Sequence, residues 1–242
     1  MQILNNSAFE AKPDAVVFDL DNTFYAYDDA HRAAMDATER RASAALGVAP
    51  RQFSEAFGTA RQQIKTSLGA TASAHSRLLY FQRAVELLGM KTRVSLALDL
   101  EQTYWRSFLL AVKLRPGAID FVMDVRALGA TTAILTDLTA QIQFRKIVFL
   151  GLEGLFDFVV TSEEAGIDKP GKRPFALMKD KLALPDGAAV WMVGDDACDL
   201  LAKETIGAST LLLKHGAQAA TAGADLVFTD FADLRRLVAR WA

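Results

Sequence analysis

Ala15-Val16-Val17-Phe18-Asp19-Leu20-Asp21-Asn22-Thr23 is the stretch on which the fold turns. Its first four residues are apolar and rich in β-branched side chains. The run stops on an acid, as a buried parallel strand does where it meets its loop. Side chains alternate along extended chain, so Asp19 and Asp21 can point the same way from the strand end. Beyond this stretch the texture changes. From residue 28 to 112 apolar residues fall at helical spacing with no strand-like run. Gly47-Val48-Ala49-Pro50, Gly69-Ala70-Thr71-Ala72 and Gly89-Met90-Lys91 supply the breaks between helices. Leu78, Leu79, Ala84, Val85 and Leu88 share one apolar stripe, the mark of a helix packed in a bundle.

From residue 114 onward strands and helices alternate. The pattern predicts helices at 118–128, 139–149, 175–182, 199–206 and 232–241, and strands at 131–136, 157–161, 189–193, 209–213 and 226–229. Such alternation argues for right-handed βαβ units and a parallel sheet covered by helices on both faces. The strand at 15–18 finds no partner in the helical block, so it is expected to join the later sheet. The expectation is an α/β core, residues 1–24 and 113–242, interrupted by an all-α insertion over residues 25–112.

Composition narrows the function classes. The chain has 242 residues, 51% hydrophobic and 23% charged, enough for a large core and unlike a disordered tail or a disulfide-stapled miniprotein. With 27 Lys and Arg against 29 Asp and Glu, it lacks the basic run that nucleic-acid binding needs. No uncharged stretch approaches the roughly 20 apolar residues of a membrane helix. Residues 1–13 carry Asn5, Asn6, Glu10 and Lys12, without the basic start or apolar centre of a signal peptide. The single cysteine, Cys198, excludes an internal disulfide and suits a reducing cytoplasm. A monomer or a homodimer fits equally well.

In open α/β sheets ligands sit beyond the carboxyl ends of the strands. There the chain offers Asp19 and Asp21, then Thr136 and Asp137, then Lys169-Pro170, and finally Gly194-Asp195-Asp196 with Asp199 after it. Carboxylates, a hydroxyl and an ammonium at one sheet edge suit phosphoryl transfer assisted by Mg²⁺, a hard cation that takes oxygen ligands. One carboxylate can be the nucleophile, splitting hydrolysis into two steps. A second, two residues away, can give a proton to the leaving oxygen and take one from water, worth ~10²- to 10⁴-fold. A threonine hydroxyl and a lysine ammonium can hold the phosphoryl oxygens.

Phe18-Asp19-Leu20-Asp21-Asn22-Thr23, Thr136, Lys169-Pro170 and Gly194-Asp195 with Asp199 resemble the ordered motifs of the haloacid dehalogenase-like superfamily, in its branch with a helical cap inserted after the first motif. The resemblance implies a Rossmann-like core and a cap, and an enzyme that hydrolyses a small phosphomonoester such as a sugar phosphate or nucleoside monophosphate. It implies Asp19 as nucleophile, Asp21 as general acid and base, Thr136 as phosphate-binding hydroxyl and Lys169 as stabilising cation. Mg²⁺ would sit on Asp19, the backbone carbonyl of Asp21 and Asp195. Asp199 would brace the site from behind, with Asp196 as its substitute. The chain departs from the family at Asp137, which puts a negative charge beside the phosphate position, and at Gly171-Lys172, where Asp-Pro is usual.

A cap would recognise the leaving group, and His75 and Arg77 are its candidate substrate-binding residues, with His31 and Arg32 near its entry. Phe53, Phe57, Tyr80, Phe81, Tyr104, Trp105 and Phe108 read as bundle core. Other activities remain open from sequence. A 2-haloacid dehalogenase would have no use for Asp21, because a departing halide needs no proton. A phosphomutase would pass the phosphoryl group to a second hydroxyl. A phosphoacceptor signalling module also places acids, a threonine and a lysine at strand ends.

Overall fold

In the computed structural model, residues 1–214 and 223–242 are described. The chain divides into two compact units, one of residues 1–26 and 113–242, the other Tyr27–Val112. Among the described residues no helix is long and apolar enough to cross a membrane.

The first unit is built on a seven-stranded sheet. Its strands are β1 (Gln2–Ile3), β2 (Ala15–Phe18), β3 (Thr131–Thr136), β4 (Phe158–Thr161), β5 (Val190–Gly194), β6 (Ser209–Leu213) and β7 (Leu226–Phe228), in the order β1-β7-β6-β5-β2-β3-β4. All pairings are parallel except β1 with β7. β2 is an interior strand, with Phe18 in register with Ile134 of β3 and Val193 of β5. It is buried at all four positions, which is why its sequence is a continuous apolar run. The two faces of the strands go to different layers. Ala15, Val17, Ala133 and Leu135 join Phe175 and Met178 in one core. Phe18 turns the other way and meets Phe121 and Phe156, with ring centroids 5.9 and 5.8 Å apart.

The second unit is all helical: α1 (Tyr27–Leu46), α2 (Pro50–Leu68), α3 (Arg77–Leu87) and α4 (Val94–Ala111). Its core is aromatic, with Phe53, Phe57, Tyr80, Phe81, Tyr104 and Phe108 buried as their spacing predicts. The sheet is flanked by α5 (Ala118–Ala127), α6 (Ala140–Phe149), α7 (Ser162–Ala165), α8 (Lys172–Leu182), α9 (Ala202–Ile206) and α10 (Phe231–Val238).

The differences from the sequence pattern lie at short elements. Gln2–Ile3 forms an antiparallel edge strand where only a polar segment is expected. Two residues are too few for periodicity, and the strand exists because β7 offers a ladder: Leu4 and Asn5 N–H both donate to the Asp225 carbonyl. The helix expected at 199–206 is a 3₁₀ turn, Ala197–Leu201, followed by α9. Asp196 caps that turn, accepting from Cys198 N–H at 2.8 Å. α8 starts three residues earlier than expected, at Lys172, because Pro174 is tolerated in a first turn whose N–H groups have no helical partner.

Phe121 is fully buried and packs on Phe18 and on Phe231, at 5.9 and 6.0 Å. Phe121→Ala is expected to lower unfolding free energy by about 3–5 kcal/mol, measured by urea titration. A loss below about 1 kcal/mol would mean that this aromatic layer does not close one face of the sheet.

Candidate active site

Three strand ends and one loop place the polar groups. Asp19 follows β2, Thr136 ends β3, Lys169 lies between α7 and α8, and Asp195 follows β5. With Asp21 and Cys198 they line a cavity of about 200 Å³ in the first unit. A larger groove of about 670 Å³ lies along α5 and α10, where Asp124 is already paired with Arg235; it carries none of this chemistry.

Lys169 is the hub. Its Nζ lies 2.8 Å from Asp19 Oδ1 and 2.6 Å from Asp199 Oδ1, and all three side chains are buried. Asp199 reaches this position because residue 194 is glycine: a Cβ there would stand 2.0 Å from Asp199 Oδ2. Asp199 also accepts from Asp196 N–H at 3.2 Å. The two neighbouring acids thus separate in role, Asp199 buried against the lysine and Asp196 exposed as a turn cap. The Thr23 hydroxyl stands 3.1 Å from Asp19 Oδ2 and 3.3 Å from Asp195 Oδ1, and can donate to either.

Asp137 does not face the cavity with a free charge. Its Oδ1 accepts the Lys169 backbone N–H at 3.0 Å, which makes Asp137 a brace for the lysine loop.

Asp21 lies beyond the sheet and is held by side chains that no sequence motif marks. Lys146 Nζ stands 2.6 and 2.9 Å from its two carboxylate oxygens. Gln143 Nε2 is 3.1 Å from Oδ2, and the Tyr25 hydroxyl donates to Oδ1. Gln143 is also 2.6 Å from Thr136 Oγ1 and from the Asp137 carbonyl. The signal was present: on α6 the buried positions are Ile142, Gln143, Lys146 and Ile147, so two polar residues occupy an apolar stripe.

His75 and Arg77 belong to the helical unit. His75 is half-buried. Arg77 is buried in an aromatic box, its guanidinium about 5.5 Å from the rings of Tyr80, Tyr104 and Trp105. It donates to the His75 carbonyl at 2.7 Å and to the Tyr27 hydroxyl. His31 is held neutral, its pKa lowered to about 4 by burial and then by Arg77 and Arg61.

The charges do not balance. Ligand oxygens of Asp19, Asp195 and Asp199 lie within 4.8 Å of one another; the Lys169 ammonium meets Asp19 and Asp199, and the Arg115 guanidinium feels the charge of Asp195, so three acids face two cations. Burial works against the Lys169 charge, yet Asp19, Asp199 and Asp137 hold its pKa well above the usual lysine range. The Asp195 carboxyl is pushed up to about 7, by burial first and then by Asp199 and Asp196. An all-oxygen, carboxylate-rich set with excess negative charge fits a hard divalent cation. The Cys198 thiol, pushed up to about 12 by burial and then by Asp196, is no nucleophile at neutral pH.

The haloacid dehalogenase-like hydrolase family model matches residues 13–207. The chain belongs to that family. It is 36% identical to a ribulose-1,5-bisphosphate 5-phosphatase of Halopiger xanaduensis over 219 residues, 89% of this chain and 91% of that one. Among solved structures it resembles a phosphatase of the family from Thermococcus onnurineus, with a TM-score of 0.70, 20% identity and coverage of 93% of this chain and 97% of the other. It also resembles the L-2-haloacid dehalogenase of Xanthobacter autotrophicus, with a TM-score of 0.66, 20% identity and coverage of 95% and 100%. The fold is therefore shared by members with different chemistry, and the site must decide between them.

A carboxyl whose pKa is raised on folding binds more protons in the folded state, so its contribution to stability falls as pH rises from about 4 to 7. Without a cation, the crowding at Asp195 is felt most at the upper end of that range. The Tm gained from saturating divalent cation over EDTA is expected to grow from pH 5 to pH 8. A gain that stays flat with pH would contradict cation binding at Asp195.

Proposed function

We propose that this phosphatase hydrolyses a small sugar phosphate with Mg²⁺, through a phosphoryl group carried on Asp19. The observation that carries the reading is the convergence of Asp19, Asp195 and Asp199 oxygens within 4.8 Å, beside the Lys169 ammonium and on the cavity that Asp21 and Thr136 also line. The sugar phosphate class follows from the relative that matches nine-tenths of the chain. The helical unit is proposed as the cap that selects the leaving group, and the cytoplasm as the compartment.

Chemistry follows position. An Asp19 oxygen attacks phosphorus, the bond from phosphorus to the sugar oxygen breaks, and a proton from Asp21 goes to that oxygen. Asp21 then takes a proton from water as the water oxygen attacks phosphorus. The bond to Asp19 breaks, inorganic phosphate leaves and both carboxyl groups return to their starting states. The Thr136 hydroxyl and Lys169 ammonium hold the phosphoryl oxygens where charge accumulates. Asp199 keeps Lys169 aimed. Mg²⁺ held by Asp19, Asp195 and the Asp21 carbonyl would supply the positive charge that offsets substrate and nucleophile. Attack on carbon, as in dehalogenation, would leave Asp21 and its donors without a task.

Release of phosphate from ribulose 1,5-bisphosphate and of p-nitrophenol from p-nitrophenyl phosphate is expected to require Mg²⁺ and to stop in EDTA. Asp19→Asn is expected to lower kcat by at least about 10³-fold while leaving the fold intact by circular dichroism. Acid quenching during turnover with ³²P-labelled substrate is expected to trap label on Asp19. Metal-independent turnover, or an active Asp19→Asn variant, would overturn the proposal.

A further inference from the structure

We propose that Lys146 is a positioning residue for the carboxylate of Asp21, an inference that rests on the role given to Asp21 above. Lys146 sits on α6, and its side chain is 1% exposed. A lysine so deeply buried is costly, because the ammonium gives up its hydration and recovers only what its partners return. Packing alone does not require it: Ile142 and Ile147 fill the same buried stripe, and an apolar side chain at 146 would continue it. What the ammonium does reach is the Asp21 carboxylate, at 2.6 and 2.9 Å, astride both oxygens.

Asp21 needs such support because of where it stands. β2 ends at Phe18, and beyond it Asp21 makes only an isolated bridge to Tyr25, which holds its backbone and leaves its carboxyl group to be oriented by side chains. A side chain there would turn freely about its two torsions. Lys146 engages both oxygens, the Tyr25 hydroxyl adds a donor to Oδ1, and Gln143 Nε2 lies 3.1 Å from Oδ2. Together they fix the plane of the carboxyl group; when Asp21 carries the proton it gives to the leaving oxygen, Lys146 holds the other oxygen, and both oxygens accept from Lys146 once that proton has gone. Gln143 and Lys146 are three apart on one helix face, and Gln143 also contacts the Thr136 hydroxyl at 2.6 Å. One helix thereby sets the distance between the proton-transferring group and the hydroxyl proposed to hold phosphate.

The consequence is selective. An alkoxide leaving group needs a well-placed proton donor, whereas p-nitrophenolate leaves without one. Lys146→Met is therefore expected to reduce kcat/KM for an alkyl ester, ribulose 1,5-bisphosphate or β-glycerol phosphate, at least about tenfold more than for p-nitrophenyl phosphate. Asp21→Asn should show the same selective loss. The double variant should be no worse than Asp21→Asn alone, because both changes act through one group. Lys146→Arg should recover part of the alkyl activity, and Lys146→Gln replaces Lys146→Met if the latter fails to fold. Circular dichroism and Tm establish that each variant is folded. An equal loss on alkyl and aryl esters, no loss on either, or additive losses in the double variant would overturn the positioning role. Wild-type protein inactive on both kinds of ester would instead remove the phosphatase reading itself.

Discussion

The site depends on one buried contact, the Lys169 ammonium held between Asp19 at 2.8 Å and Asp199 at 2.6 Å. Charges this deep are tolerated only when paired and hydrogen-bonded, so the three side chains must be placed together. The sheet does this with short-range geometry. β2 and β5 are adjacent and in register, which puts the residues after Phe18 and after Val193 side by side. Asp199 then returns on a turn capped by Asp196, passing so close to residue 194 that only glycine fits. Asp137 fixes the other end by accepting the Lys169 backbone N–H. If Asp199 moved, Lys169 would have Asp19 as its nearest acid, and the ion pair would compete for the oxygen assigned to attack.

A second constraint operates outside the sheet. Parallel strands fix the residues at their ends, but Asp21, Asn22 and Thr23 lie in the loop beyond. Asn22 adopts a left-handed conformation at φ 63°, which asparagine tolerates better than most residues, and its carbonyl accepts from the Arg115 guanidinium at 3.0 Å. Asp21 is held from α6. The division is between strands that set position and a helix that sets orientation. It explains why the buried face of α6 carries Gln143 and Lys146 where a purely structural helix would carry leucine or methionine.

Much of this was legible in sequence, for physical reasons. Continuous apolar runs ending in acids identify buried parallel strands and their functional ends together, which is why Asp19, Thr136 and Asp195 could be placed at one edge. Helical periodicity over 28–112 identified the second unit, and its aromatic residues are buried as expected. What was not legible depends on pairings distant in sequence. The edge strand Gln2–Ile3 exists only because β7 is there. The separate roles of Asp196 and Asp199 depend on a turn geometry that composition does not reveal. The contact of Lys146 with Asp21 spans 125 positions. The surroundings of Arg77 were not legible either: its guanidinium lies among the rings of Tyr80, Tyr104 and Trp105, residues on α3 and α4.

These features share a thermodynamic logic. A buried lysine on α6, three crowded carboxylates with Asp195 raised to about 7, a leucine at φ 84° in Leu138 and a glycine made necessary by an aspartate are each unfavourable taken alone. All are found at or just behind the carboxyl edge of the sheet, in residues 19–25, 136–146, 169 and 194–199. Away from this edge the described residues of the unit are dominated by apolar strands and aromatic packing, whose stability offsets the cost of the edge. A fold under selection for stability alone would relax these residues one at a time, to leucine, asparagine or glycine. Their concentration at one edge coincides with the cavity lined by Asp19, Asp21, Thr136 and Lys169, as expected of groups placed for a common task.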